Sequence, residues 1–424
     1  MREMRESGIE WIGTIPTTWE LKRIQHTIEE IKVKNSPIQT EQVLSLVKDK
    51  GVMLYEDKGD VGNKAKENVS EYKLAYPNTL IVNSMNILIG SVGISDYFGC
   101  VSPVYYVFRE TPEADLRFIN YIFNTREFQK ELRKYANGIL EIRLRVSSSD
   151  IFKRKIPLPG KNTQKAIADF LDAKCAEIDA LTVDIQTQID TLEQYKRSVI
   201  TEAVTKGLNP DVEMKDSGSR WCPLIPIHWE LVPAKYLFHN SDLRKQNGDE
   251  QLTASQKYGI ITQRAYMKLE NTSIVLANKG VENWKHVEPN DFIISLRSFQ
   301  GGLEMSETTG CITWHYVVLK ASRYVCYRYY KWLFKSEQYI NALQGTCNFI
   351  RDGQDLRFSN FSQVPLLVPP IEEQETVADY LDQKTNEIDS IIAKKKKQLD
   401  VLAEYKKSLI YEYVTGKKEV PANA

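Results

Sequence analysis

The stretch Ser7–Leu21 reads SGIEWIGTIPTTWEL, and it returns 210 residues later at Ser217–Leu231 as SGSRWCPLIPIHWEL. A second pair of segments repeats at the same offset, since 19 of the 42 residues in 164–205 are identical to their counterparts in 374–415. Each copy joins a globular segment to a long helical one. A tandem duplication of this size predicts a pseudo-two-fold molecule with two similar halves.

The composition of the 424-residue chain is typical of a soluble globular protein, with 42% hydrophobic and 26% charged residues. No apolar run is long enough to cross a bilayer and the N-terminus has no signal-peptide pattern, so we expect a cytoplasmic protein. Lys and Arg number 56, as do Asp and Glu. A protein that binds nucleic acid alone usually has a basic excess, so a DNA-binding role here implies basic partners.

The two globular segments, about 17–158 and 227–368, are predicted to share one mixed α and β plan. In the first, Thr79–Val82 and Val104–Phe108 are β-rich apolar runs, and apolar residues recur at helical spacing over 115–135. The second segment repeats this plan with divergent contents. One scaffold with different contents is what two versions of a recognition module should show.

The repeated segments 164–205 and 374–415 predict two helices far longer than a core helix needs to be. Since 210 is a multiple of seven, both helices share one heptad register. Two equivalent helices most simply pack antiparallel, with Gln188 and Gln398 near the axis that relates them. The residues predicted to pair the helices are Leu171, Ile178, Leu181, Ile185, Gln188, Leu192, Tyr195, Leu381, Ile388, Ile391, Gln398, Leu402 and Tyr405.

Catalytic motifs are missing from the sequence. It contains none of the short patterns that bring phosphates, metals or nucleophiles into an active site. Its five histidines and six cysteines show neither metal-ligand nor disulfide spacing. We therefore expect a non-catalytic chain with no catalytic residues, no metal and no cofactor of its own.

Side chains that can read base edges lie instead in the glycine-containing connections of both globular segments. Arg and Lys suit guanine, and Asn and Gln suit adenine. The candidate DNA-binding residues are Lys48, Lys50, Asn83, Asn86, Ser91, Arg143 and Arg145 in the first segment, and Lys257, Gln263, Arg264, Arg297, Ser298, Gln300, Arg351, Gln354 and Arg357 in the second. For each of them taken singly, a solvated surface loop is an equally good interpretation.

With these features in place, the chain resembles the specificity subunits of type I restriction-modification enzymes over essentially its whole length. The Trp-x-x-x-Ile-Pro-x-x-Trp-Glu pattern occurs within Ser7–Leu21 and Ser217–Leu231. The helix openings Pro159–Gln164 and Pro369–Gln374 share Pro-x-x-x-x-Gln, and the helices repeat Ile-Asp and Tyr-Lys-x-Ser.

The resemblance implies an α+β fold with two mixed α/β target recognition domains, separated by a long antiparallel two-helix coiled coil in a pseudo-two-fold, near-circular molecule. Each domain would read half of a split DNA target, and the coil would set the spacer between the halves. The implied divisions are a first recognition domain with its N-terminal segment over 1–158, a central helix over 159–208, a second recognition domain over 209–368, a distal helix over 369–416 and a tail over 417–424.

The resemblance also implies partners. They are double-stranded DNA, two methylation subunits docked on the coiled coil, and restriction subunits in the full complex. S-adenosylmethionine, ATP and Mg would be bound by those subunits, so the assembled complex would be the methyltransferase and endonuclease, with a role in defence against foreign DNA.

Two other functions agree with the same sequence features. One is a DNA-reading adaptor of a different modification or defence system, which the neighbouring genes would distinguish. The other is a coiled-coil scaffold that binds proteins, and absence of a salt-dependent DNA interaction in the assembled complex would favour it. Both are non-enzymatic.

Overall fold

The computed structural model describes residues 2–48, 50–59, 68–138, 144–273, 276–277, 279–295, 298–322, 324–346 and 356–421, with the backbone only for 299 and 300. The chain forms two compact units. Unit 1 combines residues 1–185 with 397–424, and unit 2 comprises residues 186–396. Each of the two long helices contributes one part to each unit.

The globular part of unit 1 is built around a four-stranded antiparallel sheet in the order β4-β11-β8-β9. The strands of this unit are β1 (Met4–Glu6), β2 (Thr14–Pro16), β3 (Glu20–Arg23), β4 (Ile28–Glu30), β5 (Leu44–Val47), β6 (Gly51–Leu54), β7 (Lys73–Ala75), β8 (Thr79–Asn83), β9 (Val92–Ser95), β10 (Gly99–Val101), β11 (Tyr105–Glu110) and β12 (Lys155–Leu158). The β-rich apolar runs of the sequence therefore form β8 and β11, as predicted.

The short helices of unit 1 are α1 (Leu116–Phe123), α2 (Arg126–Arg133) and α3 (Ser148–Lys153), and the long helix α4 (Lys161–Lys206) follows β12. The helical spacing over 115–135 predicts one helical segment, but the structure divides this segment into α1 and α2. The break occurs because the Thr125 side chain accepts a hydrogen bond from the Phe128 backbone N–H and caps a new helix. Both helices bury their apolar faces in the core of unit 1.

Unit 2 repeats this plan with the sheet order β16-β23-β20-β21. Its strands are β13 (Met214–Asp216), β14 (Leu224–Pro226), β15 (Glu230–Pro233), β16 (Phe238–Ser241), β17 (Leu252–Ser255), β18 (Gly259–Thr262), β19 (Lys285–Val287), β20 (Phe292–Ile294), β21 (Glu304–Met305), β22 (Gly310–Ile312), β23 (Val317–Ala321) and β24 (Pro365–Val368). Its helices are α5 (Gln263–Leu269), α6 (Ser298–Gly301), α7 (Tyr327–Leu333), α8 (Glu337–Gln344), α9 (Phe358–Phe361) and the long α10 (Ile371–Val414).

The repeated Trp-x-x-x-Ile-Pro-x-x-Trp-Glu pattern has a structural role in each unit. Trp19 and Trp229 are buried in the two cores, where Trp19 packs edge-on to Phe118. Directly after each tryptophan, an entry strand pairs with the strand that leads into a long helix, β3 with β12 and β15 with β24. The pattern thus closes each globular part at the point where its long helix begins.

The glutamine of each Pro-x-x-x-x-Gln opening is buried and fully hydrogen-bonded. In unit 2, Gln374 Oε1 accepts from the Cys326 backbone N–H at 2.9 Å and Nε2 donates to the Pro369 carbonyl at 2.9 Å. Gln164 makes the same set with Asp115 and Pro159 in unit 1. A side-chain amide therefore joins the start of each long helix to the loop before the adjacent short helix.

Gln374→Leu should lower the free energy of unfolding by about 2–3 kcal/mol, because it leaves a buried N–H and a buried carbonyl without a partner. Chemical denaturation of the purified chain measures this change. Gln383→Leu is the matched control, since Gln383 lies exposed on the same helix and should change stability by less than about 0.5 kcal/mol. Equal effects of the two substitutions would contradict the assigned role of Gln374.

The long helices α4 and α10 have 46 and 44 residues and pack antiparallel within each unit. In unit 1, the Phe170 and Tyr413 rings are 4.6 Å apart, and further along α4 the Lys406 Nζ lies 2.6 Å from an Asp179 carboxylate oxygen. In unit 2, Lys196 Nζ lies 2.6 Å from an Asp389 carboxylate oxygen. Each unit contains the same Lys–Asp pair with the two repeats exchanged, as the predicted symmetry requires.

Six of the thirteen residues predicted to pair the helices are wrong, because the second row of contacts lies one position further along each helix. We call the line of contact between α4 and α10 the seam. Seven predicted residues are buried or half-buried along it, as expected: Leu171, Ile178, Ile185, Leu192, Leu381, Ile388 and Leu402. The other set is exposed: Leu181, Gln188, Tyr195, Ile391, Gln398 and Tyr405. The second seam row lies four residues after each position of the first row, not three, and contains Cys175, Thr182, Ile189, Lys196, Ala203, Thr385, Ile392, Leu399, Lys406 and Tyr413.

Two lysines of the observed second row occupy seam positions without burying their charge. The aliphatic stems of Lys196 and Lys406 lie in the half-buried row while their amines reach Asp389 and Asp179. Gln188, expected in a central polar layer, is exposed and accepts a hydrogen bond from Lys395. In the part of the chain that the structure describes, no helix is long and apolar enough to span a membrane.

Candidate nucleic-acid interface

Three connections of unit 1 converge on one edge of its four-stranded sheet. β8 ends at Asn83 opposite Tyr105, the first residue of β11, so the connections 84–91 and 102–104 lie together. The β5–β6 turn joins them, because β5 is aligned parallel to β10 through the Val43–Cys100 bridge and Gly51 lies against Gly93. We call this edge the loop edge of unit 1.

The same three connections form the loop edge of unit 2. β17 runs parallel to β22 through the Gln251–Cys311 bridge, which brings the turn 256–258 and the turn 313–316 to the same end. β20 ends opposite the start of β23, and Gly301 in the connection that follows lies directly against the Gln256 side chain. Both units therefore collect equivalent loops at an equivalent edge, with different side chains in each.

Several predicted residues of unit 1 are exposed at its loop edge. Lys48 and Lys50 lie exposed in the β5–β6 turn, and Asn86 is exposed in the connection after β8. Arg145 is exposed beside the same connection, since the next residue, Val146, donates its backbone N–H to the Ser84 carbonyl. These four side chains form a polar, net-basic surface that the sequence places in three separate regions.

Three predicted residues are corrected because the structure buries them. The Asn83 Oδ1 accepts a hydrogen bond from the Met85 backbone N–H, and Asn83 is 5% exposed. Ser91 is 3% exposed, and its carbonyl accepts from the Asn83 N–H. Ser298 is 1% exposed, with its hydroxyl oxygen accepting from the Ser295 N–H. These side chains shape the turns at the loop edges and are not available to a base in this conformation.

The predicted residues of unit 2 separate into two places. Lys257 is exposed in the turn at the loop edge, where it lies over the Tyr258 ring and 2.9 Å from Glu270. Hydrogen bonds with Tyr258 and Glu270 raise the pKa of the Lys257 amine above its ordinary value, so it is cationic at neutral pH. Gln263 and Arg264 lie at the opposite end of the β17–β18 hairpin, so they are not brought to the loop edge.

The remaining candidates are Arg357, Gln300 and four residues outside the described part of the chain. Arg357 is exposed at the start of α9, where its backbone N–H donates to the Asn360 side chain. Gln300 lies in α6 beside the loop edge, but its side chain falls outside the description. Four predicted residues lie outside the described residues altogether: Arg143, Arg297, Arg351 and Gln354.

An aromatic pair at the loop edge of unit 2 escaped the sequence analysis. Trp314 is 54% exposed in the turn between β22 and β23, and its ring stacks on that of His315 with centroids 3.6 Å apart and planes 28° apart. Neither residue belongs to the Lys, Arg, Asn, Gln and Ser side chains predicted to read base edges. The sequence did not distinguish Trp314 from a core residue, because most tryptophans of a globular protein are largely buried.

A cleft of unit 1 leads from its loop edge to the long helices. Its lining includes Lys48 and Gly90 at the edge, Asn124 directly after α1, Gln129 on α2, and Lys407 on α10. Gly90 has a positive φ of 84° and a Cβ there would approach Gln129 and Asn124 closely, so the backbone shape of this connection depends on glycine. The cleft offers polar side chains from three parts of the fold to one ligand.

Equivalent ion pairs join each globular part to its helices. Arg117 contacts Asp169 and Asp172 of α4 at 2.8 and 2.7 Å. In unit 2, Arg328 contacts Asp379 at 2.7 Å and also pairs with Asp382. The acidic residues that repeat between the helices thus hold the globular parts at a defined point on them.

The chain is similar to known proteins in both sequence and fold. Residues 16–191 match the family model described as "Type I restriction modification DNA specificity domain". A relative from Methanocaldococcus jannaschii, named "Putative type I restriction enzyme MjaX specificity subunit", is 21% identical over 436 residues that cover 96% of each protein.

Two solved structures share the fold. One chain, from work on complex assembly and conformational transition of the type I R-M system, superposes with a TM-score of 0.70 at 12% identity, covering 95% of this chain and 99% of that one. The HsdS subunit of Thermoanaerobacter tengcongensis superposes with a TM-score of 0.54 at 14% identity, covering 95% and 98%. The similarity therefore extends over both units.

Proposed function

We propose that this chain is a specificity subunit of the type I restriction-modification kind and that it reads a split DNA target, with the globular part of each unit contacting one half-site. The chain would be the non-catalytic recognition subunit of the complex. Among the described residues, no group of three or more His, Cys, Asp and Glu is arranged to hold a metal ion. S-adenosylmethionine, ATP and Mg would be bound by the methylation and restriction subunits.

The observation that carries this proposal is the equivalence of the two loop edges. One scaffold collects three connections at one sheet edge in each unit, and the exposed side chains differ: Lys48, Lys50 and Arg145 in unit 1, and Lys257 and Trp314 in unit 2. A binding surface that varies on a constant scaffold is suited to reading two different sequences. Two different half-sites produce an asymmetric target. Because each half-site is read by a separate domain, the two half-sites would be separated by a spacer of fixed length.

The exposed residues of the helices support a docking role for the coiled coil. Leu181 and Tyr405 are 47% and 52% exposed in unit 1, and their repeat counterparts Ile391 and Tyr195 are 43% and 49% exposed in unit 2. Within unit 1, the Asp179–Lys406 contact brings Leu181 and Tyr405 to the same level of the helix pair. Large apolar side chains repeated in this way supply two equivalent surfaces for two methylation subunits.

Base-resolution mapping tests the proposal. The chain is co-expressed with the methylation subunit encoded beside it in a host that lacks DNA methylation, and modified bases are mapped across the genome. A two-part motif with a fixed gap is the expected result. A stable complex that neither methylates nor binds DNA in a salt-dependent manner would contradict the recognition role and favour a protein-binding scaffold.

The double variant Lys48→Ala, Lys50→Ala should change modification at one half-site only. Loss of two exposed cations at the loop edge of unit 1 should weaken binding of the assembled complex about tenfold and relax sequence preference in that half alone. Binding to the mapped target and to single-base variants of it measures both effects. Lys161→Ala with Lys165→Ala is the matched control, because both residues are exposed at the start of α4, away from the loop edge.

A further inference from the structure

We propose that Trp314, braced by His315, contacts the 5-methyl group of a thymine in the half-site read by unit 2. This inference rests on the proposed function and adds to it a base-reading contact that uses no hydrogen bond. It assigns to the pair a specific chemical target. It also gives unit 2 an apolar base contact that unit 1 does not have at the equivalent turn.

The placement of the pair supports a contact with DNA. Trp314 lies in the turn 313–316, which shares the loop edge of unit 2 with Lys257. Ile312, directly before this turn, and Val318, two residues after it, are buried in the same apolar cluster. The turn is therefore held firmly at both ends while the indole projects from it, 54% exposed.

The stacked imidazole reduces the freedom of the indole. The ring centroids of Trp314 and His315 are 3.6 Å apart with planes 28° apart, so the imidazole covers one face of the indole. A tryptophan side chain has only two rotatable bonds, and stacking restricts them further. An exposed apolar ring that is already ordered loses little conformational entropy on binding, which favours its use as a contact.

The chemistry of the duplex determines which group such a ring meets. Within an intact duplex the faces of the bases are stacked on one another, so a protein in the major groove meets their edges. Those edges present hydrogen-bonding groups, with the thymine 5-methyl as the apolar group. An indole has one N–H donor and a large apolar surface, and it therefore fits the methyl group better than the polar groups around it.

Unit 1 has no aromatic pair at the corresponding turn. The repeat aligns Gly310–Thr313 with Gly99–Ser102, which places Trp314 opposite Pro103 and His315 opposite Val104. The effect of Trp314 should accordingly be confined to one half-site. This asymmetry supplies an internal control within the same complex and the same DNA.

Deoxyuridine substitution tests the contact directly, because it removes only the methyl group. The chain is assembled with its methylation subunit, and duplexes carrying the mapped target receive deoxyuridine in place of each thymine of the unit 2 half-site in turn. Dissociation constants are measured for the wild-type complex and for Trp314→Ala. We expect one position at which deoxyuridine weakens wild-type binding about three- to fivefold, as loss of one buried methyl group implies.

In the Trp314→Ala complex, the penalty at that position should disappear, because ring and methyl group form one coupled contact. Substitutions in the other half-site should affect both complexes equally. A thymine-free unit 2 half-site, a wild-type complex insensitive to deoxyuridine throughout it, or an unchanged penalty in Trp314→Ala would each overturn the inference. None of these results would remove the bipartite target itself, whereas absence of any mapped target would contradict the proposed function.

Discussion

A variant with three additional heptads in each long helix should modify a target whose gap is about nine base pairs longer and whose half-sites are unchanged. Twenty-one residues extend an α-helix by about 31 Å, and one base pair occupies 3.4 Å of duplex. This extension is close to one helical turn of DNA, so the longer gap adds nearly a full turn of duplex between the half-sites. The measurement is mapping of methylated bases in cells that contain the variant and its methylation subunit.

The insertions follow Gln188 in α4 and Lys395 in α10, because these two side chains contact each other in unit 2. Whole heptads with apolar residues at both seam positions keep the register of the flanking helices. Insertion into α4 alone is the control, and it should abolish modification since the two helices no longer match. An altered half-site, or an unchanged gap with both insertions, would contradict the role of the helices as a ruler.

Ile189→Asp should lower the free energy of unfolding of the chain by about 4 kcal/mol. This is the largest effect on stability that we expect from a single substitution in α4. Ile189 is 2% exposed on the second seam row, so the substitution removes a buried apolar side chain and places a carboxylate in a buried position. Chemical denaturation monitored by circular dichroism measures the free energy of unfolding. Increased proteolysis within α4 should accompany the loss of stability.

Leu181→Asp is the matched substitution, because Leu181 lies on the row predicted from sequence but is 47% exposed. It should change the free energy of unfolding by less than about 0.5 kcal/mol. The corrected register would be refuted if Leu181→Asp were the more damaging of the two. Weakened association of Leu181→Asp with the methylation subunit, at unchanged stability, would agree with the proposed docking surface.

The heptad pattern predicted the long helices and one of the two rows of residues along their seam. Their length, shared register and first seam row followed from positions such as Leu171 and Leu381, which repeat every seven residues. The second row was misassigned because spacings of three and four residues preserve the same period. The predicted row contains Leu181 and Tyr195, which are apolar but exposed. The observed row includes Lys196, whose charge is satisfied by Asp389 on the other helix.

The candidate interface shows a different limit. Exposed Lys48, Lys50 and Lys257 could be selected by residue type and loop context alone. Asn83 and Ser91 have the same chemistry, but their backbone pairing buries them. Trp314 was missed because an aromatic residue beside apolar strands is usually part of a core, and only its position in the turn shows that it projects outward.

The amino-acid sequence alone established the duplication, the two long helices and the strands that frame each globular part, because identity at a constant offset and local periodicity are properties of the linear chain. Only the tertiary structure decided which face of each long helix forms the seam and which side chains meet at each loop edge. They depend on contacts between distant residues, such as the Gln251–Cys311 bridge and the approach of Gly301 to Gln256, whose energies are set by packing and hydrogen-bond geometry in three dimensions.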